Sequence, residues 1–441
     1  MATQIITTNL TLSLNLGAFD TAIVMDGVRI TNANANGTGL IANGSNQQVI
    51  VYGSVAAEHS GVFFGTSVST NNTVFIGESA AITATLYQGL AMFGSANTIM
   101  NRGSIFGNTS GVSIFGPGLG NVFQNYGTIS SSGVGVLVDT SSGGNGGVFT
   151  NYGTIVGLDQ SFKSDFALQN DTFVNFGTMQ GDVVLGGGND TFSNRGAGVV
   201  NGTIFGGAGT DVFILGAGEE VINGGEGTDY VDFRQSNGVR IAPDDSFDNT
   251  GLAAGDSFVF IEGVYGSQKR ADLIVGGIED NSLVGGGGND TLNGGAGLDS
   301  LFGGSGVDQI NGGDGGDFLD GGLGKDGISG GLGDDEFRFN FLTDGGDVIT
   351  DFSNKVGNND RISILADELA FAGILGPRAL LATEFHVGRT NIAPGAEDRI
   401  IVRTTDNTVW FDSNGRGAGG LTLIADLQAG VTLTFADFFF A

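Results

Sequence analysis

Over positions 1–180, branched or aromatic side chains alternate with small polar ones in short runs, and a glycine-containing corner recurs between the runs. The corners are VMDGVRI (24–30), VYGSV (51–55), FIGESAAI (75–82), MNRGSI (100–105), QNYGTI (124–129), TNYGTI (150–155) and VNFGTM (174–179). Their glycines, Gly27, Gly53, Gly77, Gly103, Gly127, Gly153 and Gly177, recur at a nearly constant interval of two dozen or so positions. A further strand-like stretch lies between corners, as in GLIA (39–42), GVFF (61–64), GLAMF (89–93), GVSIF (111–115) and GVLV (135–138). Alternation with a period of two predicts strands, and self-similarity at a fixed period of this length predicts a solenoid. Frequent Gly, Asn, Thr, Val and Ile disfavour helix. Coils of short strands are therefore expected to stack about 4.8 Å apart with Ile, Val and Phe inward. The Asn before the corner glycine (Asn101, Asn125, Asn151, Asn175) either forms an amide ladder or occupies a left-handed turn position; the turn reading is preferred. The opening stretch, 4–16, has a strand pattern without an evident cap, so another subunit is expected to stack there.

From about residue 181 the period falls to nine. Six nonapeptides run without a gap over 285–338: GGGGNDTLN, GGAGLDSLF, GGSGVDQIN, GGDGGDFLD, GGLGKDGIS and GGLGDDEFR. Each fits G-G-x-G-x-D-x-U-x with U apolar, as do GGAGTDVFI (206–214) and GGEGTDYVD (224–232). Degenerate copies lie at 185–193 (Asp190), 215–223 (Glu220 in the Asp place), 267–275 (Asp272) and 276–284. A charged, glycine-poorer insertion, 233–266, is expected to loop out or form a small local sheet.

In this pattern x-U-x makes a short strand with U inward, and the glycines of GGxGxD allow a turn that brings carbonyls together. Two nonapeptides close one coil, so every second repeat stacks. One edge then carries Asp290, Asp308 and Asp326, the other Asp299, Asp317 and the end residue Asp335. Carboxylates roughly 5 Å apart cost about 3 kcal/mol per pair at an effective dielectric near 20. Four such pairs cost on the order of 12 kcal/mol, as much as the stability of a whole domain. A cation between the turns is required.

The donors available are carboxylate and backbone oxygens, which select Ca²⁺ over Zn²⁺ and Mg²⁺ and couple binding to folding. The expected ligand set is Asp211 and Asp229, then Gly285, Gly286, Gly288 and Asp290, and Gly294, Gly295, Gly297 and Asp299. It continues with Gly303, Gly304, Gly306 and Asp308, and Gly312, Gly313, Gly315 and Asp317. Gly321, Gly322, Gly324 and Asp326, with Gly330, Gly331, Gly333 and Asp335, complete it. Asp344, Asp347 and Asp351 are candidates for one more ion at the end of the array.

The last segment, 339–441, has less Gly and alternates strand-like stretches (DRIIVRT, NTVWFDS, LTLIADL, VTLTFADFFF) with one helix candidate from Ile364 to Leu369. Asp412 opens a stretch that hints at an EF-hand, but Leu423 stands where the twelfth-position Glu belongs, so a hairpin turn is preferred.

Charge separates these zones. Of 441 residues, Lys and Arg number 17 and Asp and Glu 47, a net charge of −30. Only three basic and eight acidic side chains fall in 1–180. Such acidity excludes nucleic acid as a partner. The 82 Gly with only 4 Pro lack collagen's period of three, and the absence of Cys excludes disulfides and thiolate sites. No apolar run of about 18 residues predicts a membrane span. The first Lys or Arg is Arg29, so no N-terminal secretory signal is expected.

The two His, His59 and His386, stand alone without HExxH, and no G-x-S-x-G occurs. The sparse charges of 1–180, with Asp26 and Arg29 the nearest to a pair, suit surface ions better than catalysis. No enzyme activity is expected.

The nonapeptides resemble the RTX (repeats-in-toxin, haemolysin-type calcium-binding) family, whose fold is a parallel β-roll. The tail (DEFRF, GGDVITDF, DRISI, DRIIV, VWFDSNGRGAG, ADFFF) resembles the C-terminal secretion domain of serralysin-like members. That resemblance implies type I secretion through an uncleaved C-terminal signal, to which Asp437-Phe438-Phe439-Phe440-Ala441 is similar.

The expectation is thus an all-β parallel solenoid: an N-terminal β-helix (1–180), an RTX calcium β-roll (181–338) and a β-rich C-terminal module (339–441). Its expected role is that of an extracellular S-layer, filament or matrix subunit at the cell surface that assembles with itself on external calcium, with cell-surface polysaccharide a possible anchor. A secreted polysaccharide lyase or epimerase, or a glycan-binding adhesin, is the alternative.

Overall fold

The computed structural model describes residues 3–16, 21–34, 37–65, 70–116, 120–139, 144–164, 169–244, 248–339, 346–365, 378–390, 398–412 and 420–440. The chain is all-β, and among the described residues there is no α-helix. It divides into two compact units, Met1–Val231 with Gly255–Ile261, and Asp232–Ala254 with Glu262–Ala441.

The first unit is a parallel β-solenoid with three strands per coil. Thr73–Ile76, Ala81–Ala84 and Gln88–Phe93 make one coil, and Thr98–Asn101, Ser104–Gly107 and Ser110–Phe115 the next. In these coils each strand pairs in register with its counterpart one coil on, as Thr98 with Val122 and Ile99 with Phe123; the register shifts only further along, as between Asn145 and Val148 and between Val156 and Gln160. The inward position of the first strand is Val74, Ile99, Phe123, Phe149, Phe173, Phe192 and Phe213 in successive coils, all excluded from solvent. Ring centroids of Phe149 and Phe173 lie 6.2 Å apart and those of Phe173 and Phe192 5.7 Å apart, so this column houses much of the core Phe.

The corner glycines serve close approach. A Cβ on Gly153 would collide with the carbonyl oxygen of Gly127, and one on Gly177 with that of Gly153. Neither glycine has the left-handed φ that would itself demand Gly.

The preceding asparagines form the amide ladder, correcting the turn reading. Asn101 Nδ2 donates to Asn125 Oδ1 (2.8 Å), Asn125 to Asn151 (2.8 Å), Asn151 to Asn175 (2.9 Å) and Asn175 to Asn194 (2.9 Å). None of them has positive φ. Each is buried, so its amide must find partners inside the stack, and an identical amide one coil away supplies them.

The change of period has a structural cause. The stack that includes Arg29–Asn32 and Thr128–Ser131 ends at Val199–Asn201, whereas the stack that includes Gln88–Phe93 continues through Thr203–Gly209 and Val221–Gly227 to Ser257–Val259. A three-strand coil, with ladder counterparts such as Asn101 and Asn125, thereby becomes a two-strand coil with counterparts such as Asp211 and Asp229.

The second unit stacks two-strand coils throughout its roll. Ser282–Gly287, Ser300–Gly306, Phe318–Gly324 and Glu336–Phe339 form one parallel wall; Leu273–Val275, Thr291–Ala296, Gln309–Asp314 and Gly327–Leu332 form the other. Leu283 pairs with Leu301 and Leu292 with Ile310, so partners are two nonapeptides apart, as the repeat predicts. The inserted segment neither loops out alone nor makes its own sheet: Arg240–Ile241 joins the second wall beside Leu273–Val275.

The C-terminal segment extends both walls. Arg361–Ile364 pairs with Glu336–Phe339, and Phe438–Phe440 in turn pairs parallel with Arg361–Ile364, burying Phe438 and Phe440. Asp347–Ile349 pairs with Leu421–Leu427, which leads antiparallel into Thr408–Asp412 and Ile400–Arg403. Ile364 closes a strand rather than opening a helix, because its side chain is buried in that wall; residues 366–369 lie outside the described residues. Residues 431–434 are not strand, and a short 3₁₀ turn, Phe435–Asp437, precedes the last one. The turn after Asp412 falls outside the described residues, but the strands on either side pair antiparallel.

Candidate metal centre

In the second unit the repeats place one aspartate per coil on each of two edges, at the entry of a wall strand. The Oδ1 of each accepts the backbone N–H of its counterpart two repeats earlier. Asp272 N–H donates to Asp290 (2.8 Å), Asp290 to Asp308 (2.7 Å) and Asp308 to Asp326 (2.7 Å). On the other edge Asn281 N–H donates to Asp299 (2.8 Å), Asp299 to Asp317 (2.9 Å) and Asp317 to Asp335 (2.9 Å).

The second oxygen is different. Oδ2 of Asp290, Asp299, Asp308, Asp317, Asp326 and Asp335 is buried and has no hydrogen-bond donor. A buried anionic oxygen without a partner is costly, and six in two rows call for a positive charge.

The glycines shape the space in front of these oxygens. A Cβ on Gly303 would sit 2.6 Å from Asp308 Oδ2 and 2.6 Å from the Gly321 carbonyl oxygen. Gly285 faces Asp290 Oδ2 and the Gly303 carbonyl in the same way, and Gly294 and Gly312 repeat the pair on the other edge with Asp299 and Asp317. The first glycine of each of the first four consecutive repeats thus leaves open a pocket lined by one carboxylate and one carbonyl oxygen from the next coil, whereas Gly321 faces Asp326 Oδ2 and Asp347 Oδ2, and Gly330 faces Asp335 alone. The second and fourth positions take left-handed φ, 103° at Gly304 and 148° at Gly306, which turns the chain between the walls.

Stacking of like charges is not the chief cost, which corrects the expectation from charge spacing alone. Without a cation, burial pushes Asp290 up to about 7 and Asp299, Asp317, Asp326 and Asp335 up to about 6. The accepted N–H bond opposes this, and neighbouring carboxylates add less than burial does. Asp308 is raised by the same burial.

The first unit carries a matching row. Asp171 N–H donates to Asp190 Oδ1 (2.7 Å), Asp190 to Asp211 (2.7 Å) and Asp211 to Asp229 (2.8 Å). Asp190 and Asp211 again hold a buried Oδ2 without a donor, and burial raises them to about 8 and about 7. Earlier in the chain the same place is held by amides. Gln47 N–H donates to Asn72 Oδ1 (2.9 Å), Asn72 to Asn97 (3.0 Å) and Asn97 to Asn121 (2.9 Å). The repeat aspartate is thus a neutral ladder residue turned acidic, and N-T-V, N-T-I, N-V-F and D-T-F at 72, 97, 121 and 171 are its visible sequence trace.

The rows run past the last repeat. Asp326 N–H donates to Asp347 Oδ1 (2.9 Å) and Asp335 N–H to Asp360 Oδ1 (3.2 Å), so Asp335 is an interior member and not the end of its row. Asp351 stands apart, its carboxylate taken by Ser329 Oγ (2.5 Å) and the N–H groups of Gly330 (3.0 Å) and Gly331 (2.9 Å). Asp344 lies outside the described residues. Asp360 escaped sequence reading because no glycine motif precedes it; the signal is the strand D-R-I-S-I.

Among the described residues no three His, Cys, Asp or Glu side chains converge on a point. A site here must combine carboxylates with backbone carbonyls, the hard oxygen set that suits Ca²⁺. A family profile for the RTX calcium-binding nonapeptide repeat matches residues 198–231, 270–301 and 302–337. These are RTX calcium-binding repeats. The matched segments contain Asp211, Asp229 and all six aspartates of the consecutive RTX array. A search of curated proteins finds no match.

A pH dependence follows for the chelated protein. Carboxylates raised in the folded state stabilise it fully below the unfolded value of about 4. That stability is lost as pH rises through about 6 to 7 for Asp299, Asp317, Asp335 and Asp290. In excess chelator the melting temperature of the RTX roll should therefore fall between pH 5 and pH 8, and in millimolar calcium the order should reverse. Thermal melts by circular dichroism check both signs.

Proposed function

We propose that the chain is an extracellular structural protein whose RTX roll folds on meeting external calcium and whose copies then assemble into a surface layer, filament or matrix. The rows of buried carboxylate oxygens without donors carry this reading, because they make order conditional on a divalent cation. Asp290, Asp308 and Asp326 on one edge and Asp299, Asp317 and Asp335 on the other would hold the ions, with first-glycine carbonyls such as those of Gly303 and Gly321. Bound calcium supplies the countercharge and cross-links successive coils.

A non-enzymatic role is supported by the first unit, in which His59 packs on the Tyr87 ring (4.3 Å between centroids) and Arg102 meets Glu78 at the surface (3.6 Å). An aromatic row on its outer face, Tyr126, Tyr152 and Phe176, stacked at 4.7 and 5.0 Å, offers rigid apolar surface for contact between copies or with surface polysaccharide. Export by a type I system is supported by the repeats; among the described residues no helix is long and apolar enough to cross a membrane.

Negative-stain electron microscopy of the purified chain tests assembly. Sheets or filaments are expected in millimolar calcium, dispersing in chelator. Monodisperse monomers at high concentration in calcium would refute the assembly and leave calcium binding standing.

A further inference from the structure

The chain leaves the first unit after Val231 and returns to it at Gly255–Ile261, a segment without a repeat motif and outside the profile match. Its register is informative. Val221 pairs with Ser257, Ile222 with Phe258 and Asn223 with Val259, an offset of twice the coil length. Extending that register by one position each way sets Glu220 against Asp256 and Gly224 against Phe260.

Both contacts are those of a repeat. Glu220 N–H donates to Asp256 Oδ1 (2.9 Å), as motif aspartates accept along every other row. At the other end of the strand, a Cβ on Gly224 would meet Asp229 Oδ2 and the Phe260 carbonyl oxygen. The corresponding pair at Gly206 is Asp211 Oδ2 and the Gly224 carbonyl, and at Gly303 it is Asp308 Oδ2 and the Gly321 carbonyl. Phe260 therefore sets its carbonyl where a repeat would set that of its first glycine. It does so at φ 55°, unusual for a bulky residue, and the residue is 61% exposed, so packing does not account for the conformation. On the Asp256 edge, Glu220 is only 2% exposed, takes the last link of the amide ladder from Asn194 Nδ2 (2.7 Å), and keeps an Oε2 with no donor.

We propose that residues 256–260 are a surrogate repeat that closes two calcium sites of the first unit, Asp256 standing for a motif aspartate beside Glu220 and the Phe260 carbonyl for a motif-glycine carbonyl beside Asp229. The segment takes calcium as its ligand class and makes the return of the chain depend on it. This rests on the calcium reading of the RTX repeats and adds ligands that no motif marks.

Hydrogen exchange of the full chain, with and without millimolar calcium, tests it. In the wild type, calcium should protect 255–261 together with 206–229 and 285–335. Phe260→Pro, which forces φ to about −65° and swings the carbonyl away, should abolish the gain at 255–261 and keep it at 285–335. Phe260→Gly, which relaxes the left-handed residue and leaves the carbonyl, should retain the gain in both. Asp256→Asn keeps the Oδ1 acceptor and hence the fold, and should weaken half-saturation at 255–261 by roughly tenfold, about 1.4 kcal/mol. Calcium protection at 285–335 with none at 255–261, or full protection at 255–261 in both Phe260→Pro and Asp256→Asn, would overturn the surrogate repeat while sparing the calcium reading. No calcium protection anywhere would overturn both.

Discussion

In excess chelator, limited proteolysis should leave a resistant N-terminal fragment ending near Asp171, and millimolar calcium should extend resistance through the RTX roll. The reason lies in what fills the ladder places. Asn72, Asn97 and Asn121 accept the N–H bonds of the row with neutral amides, so even Asn72, whose Nδ2 is buried without an acceptor, buries no charge, and the Phe column packs without reference to an ion. From Asp190 onward the rows bury carboxylate oxygens, as at Asp190, Asp211 and Asp290, that no protein group satisfies. Binding to the folded state alone contributes about 2.7 kcal/mol per site at a calcium level about 100 times Kd. Four sites between the six consecutive repeats then supply about 11 kcal/mol, comparable with the stability of a domain. Far-UV circular dichroism should accordingly lose part of its β signal in chelator. A spectrum identical in chelator and calcium would contradict the requirement for a cation.

Asp308→Asn should change sign with calcium. Asn keeps an Oδ1 that accepts the Asp290 N–H, so the row is not broken, but it removes the charge that an ion between coils would meet. In chelator at pH 8 the variant should melt higher than the wild type, because a buried anion is gone. In calcium it should melt lower, with affinity down at least about tenfold, or about 1.4 kcal/mol. Asp308→Ala loses the acceptor too and should be destabilised in both conditions. Asp335→Asn should behave like Asp308→Asn, since Asp360 continues its row. Isothermal calorimetry and melts of the three variants decide the matter. Destabilisation of Asp308→Asn in chelator would mean that the carboxylate is held by protein groups alone.

The RTX roll was legible because its chemistry is written in side chains and in missing ones. The glycine pattern sets the turn, and the two-repeat coil appears unchanged in the pairing of Ser282 with Ser300 and Thr291 with Gln309. The asparagine ladder was harder, because Asn before Gly is equally at home in a left-handed turn, and burial decides between the two. Asp171 and Asp360 sit on the rows without the glycines that advertise the others. Phe260 could not be found at all from sequence, since a carbonyl belongs to every residue and only the fold says where it points. The excursion of 232–254 away from the coil likewise depends on pairing between distant positions, as in Arg240 with Leu273.

The shared ladder place has a kinetic consequence within the first unit. A solenoid grows by adding each turn to the one before it, and the slow event is making the first. Here the neutral amide turns are a ready-made primer whose exposed rim already fixes alignment and spacing for the acidic turns that follow. Calcium arriving at that rim need only advance a front and need not start one, so ordering of residues 190–229 should proceed without a lag.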